Sequence, residues 1–376
     1  MRDGARAVAV GSAREFALGG QNSRIYAGWL EFGLNMNGRV QVARRIATAM
    51  AAWGLVVMTT AAVAQDAPPP KPTSTGAGYV EYTLAASAPK QTHPPRFGVV
   101  MLGGHGDVDE ATQFFCEHSG GGKIVILRAS GDDDYNQEFH EKCPANSTTT
   151  IVFSSREASE QPWVLQQLRD AHAIFIAGGD QSNYIKFWKG TSVQKEMNAA
   201  IARGVPIAGI SAGLAVEGQF IFASMIDTVT SDQALVNPYD IHVTLEKDFL
   251  EIPQLRGVIT DSHYSARSRM GRSVVFAARI LQDGWARQVH VMGIDETTAV
   301  IVEADGSARV VGKGAAHIFA MDAKAETCVD GKPLTVRGLH GFAASAGSSL
   351  NLKTWTATPA RPFTIDVTDG KLTLTM

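Results

Sequence analysis

The sequence predicts an α/β fold, a mostly parallel doubly wound sheet followed by a β-rich C-terminal extension. From about residue 95 onward, short apolar β-branched runs alternate with polar stretches of helical length, the rhythm of parallel strands joined by crossover helices. Most of these runs, such as Ile174-Phe175-Ile176-Ala177, are too uniformly apolar to face water on one side, which predicts central strands covered on both faces. After Asp295 the punctuation changes to Asp305-Gly306 and the glycines at 312 and 314, the mark of antiparallel hairpins. The 376 residues are 45% hydrophobic and 19% charged, with a formal net charge of -3. A chain of that length buries a sufficient core without metal or disulfide staples, and its charge balance gives no footprint for nucleic acid.

The most legible targeting signal lies at the N-terminal end. Arg44 and Arg45 precede an uncharged run from Ile46 to Ala64 that closes in Ala62-Val63-Ala64, the basic, apolar and small-x-small pattern of a secretory signal. The alternative is a transmembrane anchor, but the run is Ala/Thr-rich and is followed at once by a polar, Pro-rich stretch. Translation is expected to begin at Met36, with residues 1–35 an over-extended gene start, 36–64 a signal peptide cleaved near Ala64, and the mature protein periplasmic or secreted. Residues 65–94 read as linker and N-terminal tail, 95–320 as the α/β domain and 321–376 as the β-rich extension.

Within the α/β region, strands are expected at 97–102, 123–127, 149–153, 173–177, 206–210, 257–260 and 289–293. Helical spacing of apolar residues is present at 163–170, 194–202 and 272–282. Strands at 298–303, 308–311 and 316–320 follow, and 363–376 alternates around the turn Asp369-Gly370. Cys116, Cys143 and Cys328 form no metal-knuckle spacing; in an exported protein Cys116 and Cys143 are the better pair, since both fall in one βαβ region.

Three stretches carry chemistry. In Pro206-Ile207-Ala208-Gly209-Ile210-Ser211-Ala212-Gly213, a strand ends in Gly-x-Ser-x-Gly, which can set Ser211 on a sharp turn with the Ala212 N–H beside it as an oxyanion donor. The same sequence also suits an ordinary strand-to-helix turn capped by serine. Gly178-Gly179-Asp180-Gln181 follows a strand, so the Gly179 N–H is a candidate second donor, Asp180 and Gln181 candidate substrate contacts, and a helix-capping turn the alternative. In the run from Asp261 to Arg272, His263 stands at a strand end as candidate base. Arg267, Arg269 and Arg272 crowd a predicted helix start, where positive charge is unfavourable, which favours a carboxylate-binding role over a merely solvated face. For the acid that orients the imidazole, Glu296 leads, Asp295 would point the opposite way on an extended chain, and Asp227 is a third option.

Together these three stretches and the one that bears Glu296 resemble the cyanophycinase family of serine peptidases, which includes the α-aspartyl dipeptidases as more distant relatives. The pattern reads GGDQ at 178–181, GISAG at 209–213, DSHYSARSRMGR at 261–272 and GIDETTA at 293–299. The resemblance implies a class I glutamine-amidotransferase-like (flavodoxin-like) fold, a triad of Ser211, His263 and Glu296, and a pocket shaped by Gln181, Asp261, Ser262, Arg267, Arg269 and Arg272. It implies cleavage of β-aspartyl-arginine links in cyanophycin, whose free carboxylates suit an arginine cluster. Three positions depart from the pattern: Ile210 precedes the serine in place of a small polar residue, Leu214 replaces an alanine, and Ser262 replaces a glutamine. The substrate class therefore widens to other β-aspartyl or acidic peptides.

The expected partner is a peptide or polymer rich in aspartate and arginine, with no nucleic acid and no stable membrane anchor after cleavage; a homodimer is left open. No metal or organic cofactor is required by a serine hydrolase. An exported binding protein that keeps the fold without turnover, or an α-aspartyl dipeptidase, is the alternative. Glutamine amidotransfer is disfavoured, because the elbow holds serine and none of the three cysteines lies near it in sequence.

Overall fold

The computed structural model describes residues 72–88 and 90–376; the segments 1–35 and 36–64 lie outside them. The first elements are β1 (Ser74–Gly76) and β2 (Tyr79–Ala85). Part of the stretch expected to be linker and tail is therefore strand: Tyr79 and Glu81 are buried, and β2 runs antiparallel along a later strand. There follow β3 (Gly98–Leu102), α1 (Asp109–His118), β4 (Lys123–Arg128), α2 (Asp134–Lys142), β5 (Ser147–Phe153), α3 (Pro162–Arg169) and β6 (Ala171–Ile176). Next come α4 (Gln181–Trp188), α5 (Ser192–Ala202) and β7 (Ile207–Ile210). Strands β5, β4, β6, β7 and β3 lie side by side in that order, all parallel. Both faces are covered, as their uniform hydrophobicity requires. Alternate residues face two cores, one holding Met101, Ile174, Tyr184 and Trp188, the other Val100, Ile126, Phe115 and Phe139.

The chain then crosses to a second sheet through α6 (Ala212–Ala215). This sheet begins with β8 (Phe220–Phe222), α7 (Ser231–Val236), β9 (Leu245–Lys247), β10 (Val258–Asp261), α8 (Met270–Gln282) and β11 (Val289–Ile294). Strands β8, β10 and β11 are parallel neighbours. The seven strands read from sequence as one sheet are thus divided, five in the first and two in the second. Helix α8 is apolar on nearly every side, from Val274 through Leu281, because other elements cover it all round.

The remaining strands extend both sheets. They are β12 (Thr298–Glu303), β13 (Ser307–Gly312), β14 (Ala315–Met321), β15 (Val336–Ser345), β16 (Ser349–Asn351), β17 (Thr356–Thr358), β18 (Arg361–Thr368) and β19 (Lys371–Thr375). Strand β12 joins the first sheet beside β3 and carries β13, β16 and β17 after it; β14 joins the second beside β11 and carries β15, β18 and β19. The β-rich C-terminal part is an edge added to each sheet. Cys116, at the end of α1, and Cys143, just past α2, form a disulfide with Cα atoms 5.0 Å apart, and Cys328 is buried and free. Among the described residues no helix is long and apolar enough to cross a membrane.

Candidate active site

The C-terminal ends of β3, β7, β10 and β11 meet at the seam where the chain passes between the two sheets. Ser211 follows β7 with φ of 56°, a left-handed conformation that a non-glycine residue adopts only when its surroundings hold it there. Those surroundings are close-packed backbone. A β-carbon on Gly213 would lie 2.0 Å from the carbonyl oxygen of Ile176, and one on Gly209 would lie 2.5 Å from the carbonyl carbon of Gly213. Only glycines let α6 press against β6 and β7 so tightly, and that pressure forces the turn on which the serine sits.

His263 follows β10, also at positive φ (46°), and turns back toward the first sheet. Its Nε2 lies 2.8 Å from Ser211 Oγ, and its Nδ1 lies 2.7 Å from Glu296 Oε1. Glu296 sits in the crossover from β11 to β12. Burial depresses the pKa of His263, and the nearby Arg267 and Arg269 charges push the same way, while the hydrogen bond to Glu296 opposes them. The neutral imidazole is therefore favoured at neutral pH. The hydrogen bond from His263 holds the Glu296 carboxyl below its usual range, so it stays ionised. Asp295 and Glu296 point to different partners, as alternation along an extended chain implies. Asp295 accepts the backbone N–H of Ser265 at 3.0 Å, and Asp227 lies on an exposed loop where it accepts the N–H of Thr228.

The GGDQ stretch lies alongside. A β-carbon on Gly178 would be 3.5 Å from that of Ser211, which puts this turn next to the serine. Among the described residues the N–H groups of Gly179 and Ala212 donate to no backbone carbonyl. Asp180 caps α4 by accepting the Ser182 N–H at 2.8 Å, so the helix-capping alternative is realised in the same turn. Gln181 is half-buried, with its amide 3.4 Å from the Phe222 carbonyl.

The expected arginine pocket is corrected by burial. Arg272 and Asp261 are 2% and 3% exposed, and the guanidinium grips both carboxylate oxygens, at 2.8 Å and 2.6 Å. Burial alone would raise the pKa of Asp261, yet the two arginines outweigh it and hold the carboxyl low. Neither residue is free to touch substrate. Nor do the arginines share a helix face: α8 starts at Met270, Arg267 and Arg269 lie in the preceding turn, and the neutralising carboxylate is the protein's own. Ser262 is buried too, its carbonyl and hydroxyl taking Arg269 Nη1 at 2.8 Å and 3.2 Å. Burial lowers the Arg269 pKa to about 10, well above neutrality. Arg267 is exposed at the rim.

One part of the site escaped the sequence reading. Three successive carbonyls at the end of β3 hold its three segments together: Leu102 accepts the Ser211 N–H at 3.1 Å, Gly103 the His263 N–H at 2.8 Å, and Gly104 the Thr297 N–H at 2.8 Å. Gly104 (φ 105°) lies against the imidazole, where a β-carbon would sit 2.4 Å from His263 Cε1. The available signal was a glycine pair directly after an apolar strand, the same cue that marked Gly178-Gly179.

The model of peptidase family S51 matches residues 126–310, which contain Ser211, His263 and Glu296. A cyanophycinase of Trichormus variabilis is 29% identical over 225 residues, 58% of this chain and 70% of the relative. A cyanophycinase of Synechococcus elongatus is 28% identical over 279 residues, 70% of this chain and 81% of the relative. The crystal structure of a peptidase from an acI-B1 Actinobacterium aligns with 69% of this chain and 98% of its own, at 17% identity and a TM-score of 0.45. By these matches the chain is a serine-type peptidase similar to the cyanophycinases and to peptidase family S51.

Proposed function

We propose that Ser211 attacks the carbonyl of a β-aspartyl-arginine link, or of a related acidic isopeptide, and that the bond is cleaved through an acyl-enzyme. The continuous hydrogen-bonded path Ser211 Oγ to His263 Nε2 at 2.8 Å and His263 Nδ1 to Glu296 Oε1 at 2.7 Å carries this reading. His263, neutral at rest, takes the serine proton as the C–O bond forms; Glu296 fixes its tautomer and stabilises the imidazolium. The Gly179 and Ala212 N–H groups receive the oxyanion. Imidazolium returns the proton to the departing amine, and water, deprotonated by the same imidazole, releases the acid product.

The substrate class is supported by relatives named cyanophycinase and by the cationic rim. Arg267 is exposed and Arg269 keeps donors beyond those given to Asp261 and Ser262, so these two, with Gln181, are the contacts for substrate carboxylates and amides. Export is part of the proposal. It is supported by the leader-like run ending at Ala64 and by the Cys116–Cys143 bridge, a bond that persists in oxidising compartments. Protein purified from the periplasm or medium should begin at Gln65.

The test is incubation with cyanophycin and with β-aspartyl and α-aspartyl peptides, read by product mass. Wild type should release arginine-bearing β-aspartyl products and Ser211→Ala none. Equal turnover by the two, or cleavage confined to α-aspartyl peptides, contradicts the proposal.

A further inference from the structure

Asp295, next to Glu296, has no part in the proton path, yet its carboxylate collects three contacts from two separate segments. Oδ1 accepts the Ser265 N–H at 3.0 Å, Oδ2 the Ala315 N–H at 3.1 Å, and Oδ2 meets His317 Nε2 at 3.3 Å. The same His317 nitrogen lies 3.3 Å from Ser265 Oγ, and the Asp295 N–H donates to the Ala315 carbonyl at 3.1 Å. Ser265 stands two residues after His263; Ala315 and His317 belong to β14, in the edge that the C-terminal part adds to the second sheet. Between His263 and Ser265, Tyr264 is 1% exposed, its ring 5.3 Å from that of His317 and packed so closely on Gly293 that a β-carbon there would lie 2.2 Å away. The loop that bears His263 is thus docked on β11 and β14, and one carboxylate joins it to the segment that bears Glu296.

The geometry points to Asp295, completed by His317, as a positioning residue that fixes His263 and Glu296 relative to one another. This rests on the proposed roles of those two residues. Both members are largely shielded, with side chains 17% and 18% exposed, so the contacts are not averaged away by water. Burial alone would raise the Asp295 pKa, but the bonds to His317 and Ser265 bring it down to about 2, so the Asp295 carboxylate stays ionised near neutral pH. Opening the clamp removes the side-chain tie between the His263 loop, the Glu296 segment and β14, and leaves their alignment to the backbone bonds at the end of β3 and the packing of Tyr264. A small displacement of a general base costs orders of magnitude in rate while leaving substrate binding almost unchanged.

The experiment is the rate of labelling by a fluorophosphonate, which reads the nucleophilicity of the serine without a known substrate. Asp295→Ala should lower the maximal labelling rate at least tenfold with reagent affinity within twofold of wild type. Asp295→Asn, which keeps an acceptor for Ser265, should recover most of the loss. In parallel, the downfield NMR signal of the His263 Nδ1 proton should be lost in the alanine variant and kept in the asparagine one. Should Asp295→Ala fail to fold, His317→Ala makes the same reading from the other side, with His317→Gln, which still donates to the carboxylate, as its rescue. Wild-type labelling by folded Asp295→Ala or by His317→Ala, or a fall in thermal stability with labelling unchanged, overturns the inference. An unlabelled wild type, or a His263→Ala variant labelled at the wild-type rate, would instead reject the proposed catalytic roles themselves.

Discussion

At the scale of single residues, the charge state of His263 governs the proposed chemistry. Its pKa is depressed by burial and by Arg267 and Arg269, so the active neutral form persists below the ordinary histidine value of about 6.5. The acid limb of kcat/KM should therefore fall below pH ~6.5, as a pH-rate profile will read; a limb above that value contradicts the assignment. The same depression makes His263 contribute stability that is full above the unfolded value and lost as pH drops through the folded one. Glu296→Gln removes the group that raises the imidazole pKa. It should move the limb further down and cut kcat by about a hundredfold or more. Arg269→Ala should act chiefly on KM for anionic substrates, and an unchanged KM would remove Arg269 from the pocket. Residue types announced this chemistry in the sequence, since a serine between glycines and a histidine at a strand end are local features. Burial did not announce itself: nothing near Arg272 shows that Asp261, eleven positions earlier, consumes its guanidinium.

At the scale of elements, two joints hold the site, and each makes a stability prediction. The first is α6 against β6 and β7. Gly213→Ala places a β-carbon 2.0 Å from the Ile176 carbonyl oxygen, an overpacking that should cost at least about 1–3 kcal/mol in denaturant unfolding and displace Ser211. The second is β10 against α8, pinned by the Asp261–Arg272 pair. Removing one partner leaves the other charge buried, so Asp261→Asn should destabilise by about 3–5 kcal/mol; a loss under ~1 kcal/mol would mean that water reaches the pair. Because the folded pKa of Asp261 is depressed, its stabilisation is present above the unfolded carboxylate value and fades as pH falls through the folded one. Periodicity made most of these elements readable, since an apolar run bounded by glycine or proline is a strand wherever it pairs. The short β8, β9 and α7 were missed, for three to six residues carry too little period to recognise, and the longer β2, α1, α2, α4 and β15 were not singled out either.

At the scale of the whole molecule, the division into two sheets was not legible. Strand partners are chosen by contacts far apart in sequence, and the runs at 257–260 and 289–293 look no different from those that joined the first sheet. That division assembles the candidate site: Ser211 comes from one sheet, His263 from the other, and Glu296 from the crossing between them. It also gives the C-terminal strands a structural task on both sheets. A chain ending at residue 320 would lose β15 from the side of β14 and uncover buried Phe319 and Ile318. It should be aggregated or loosely packed by size exclusion and near-ultraviolet circular dichroism. A folded, soluble product would show residues 321–376 to be dispensable.

On the proposed mechanism, Ser211 becomes a nucleophile because His263 removes its proton. Mass mapping of the fluorophosphonate adduct tests it most directly. One adduct is expected, on the peptide containing Ser211, present in wild type and absent from folded Ser211→Ala and His263→Ala proteins. A folded wild type that takes no adduct, an adduct on another residue, or undiminished labelling without His263 would contradict it.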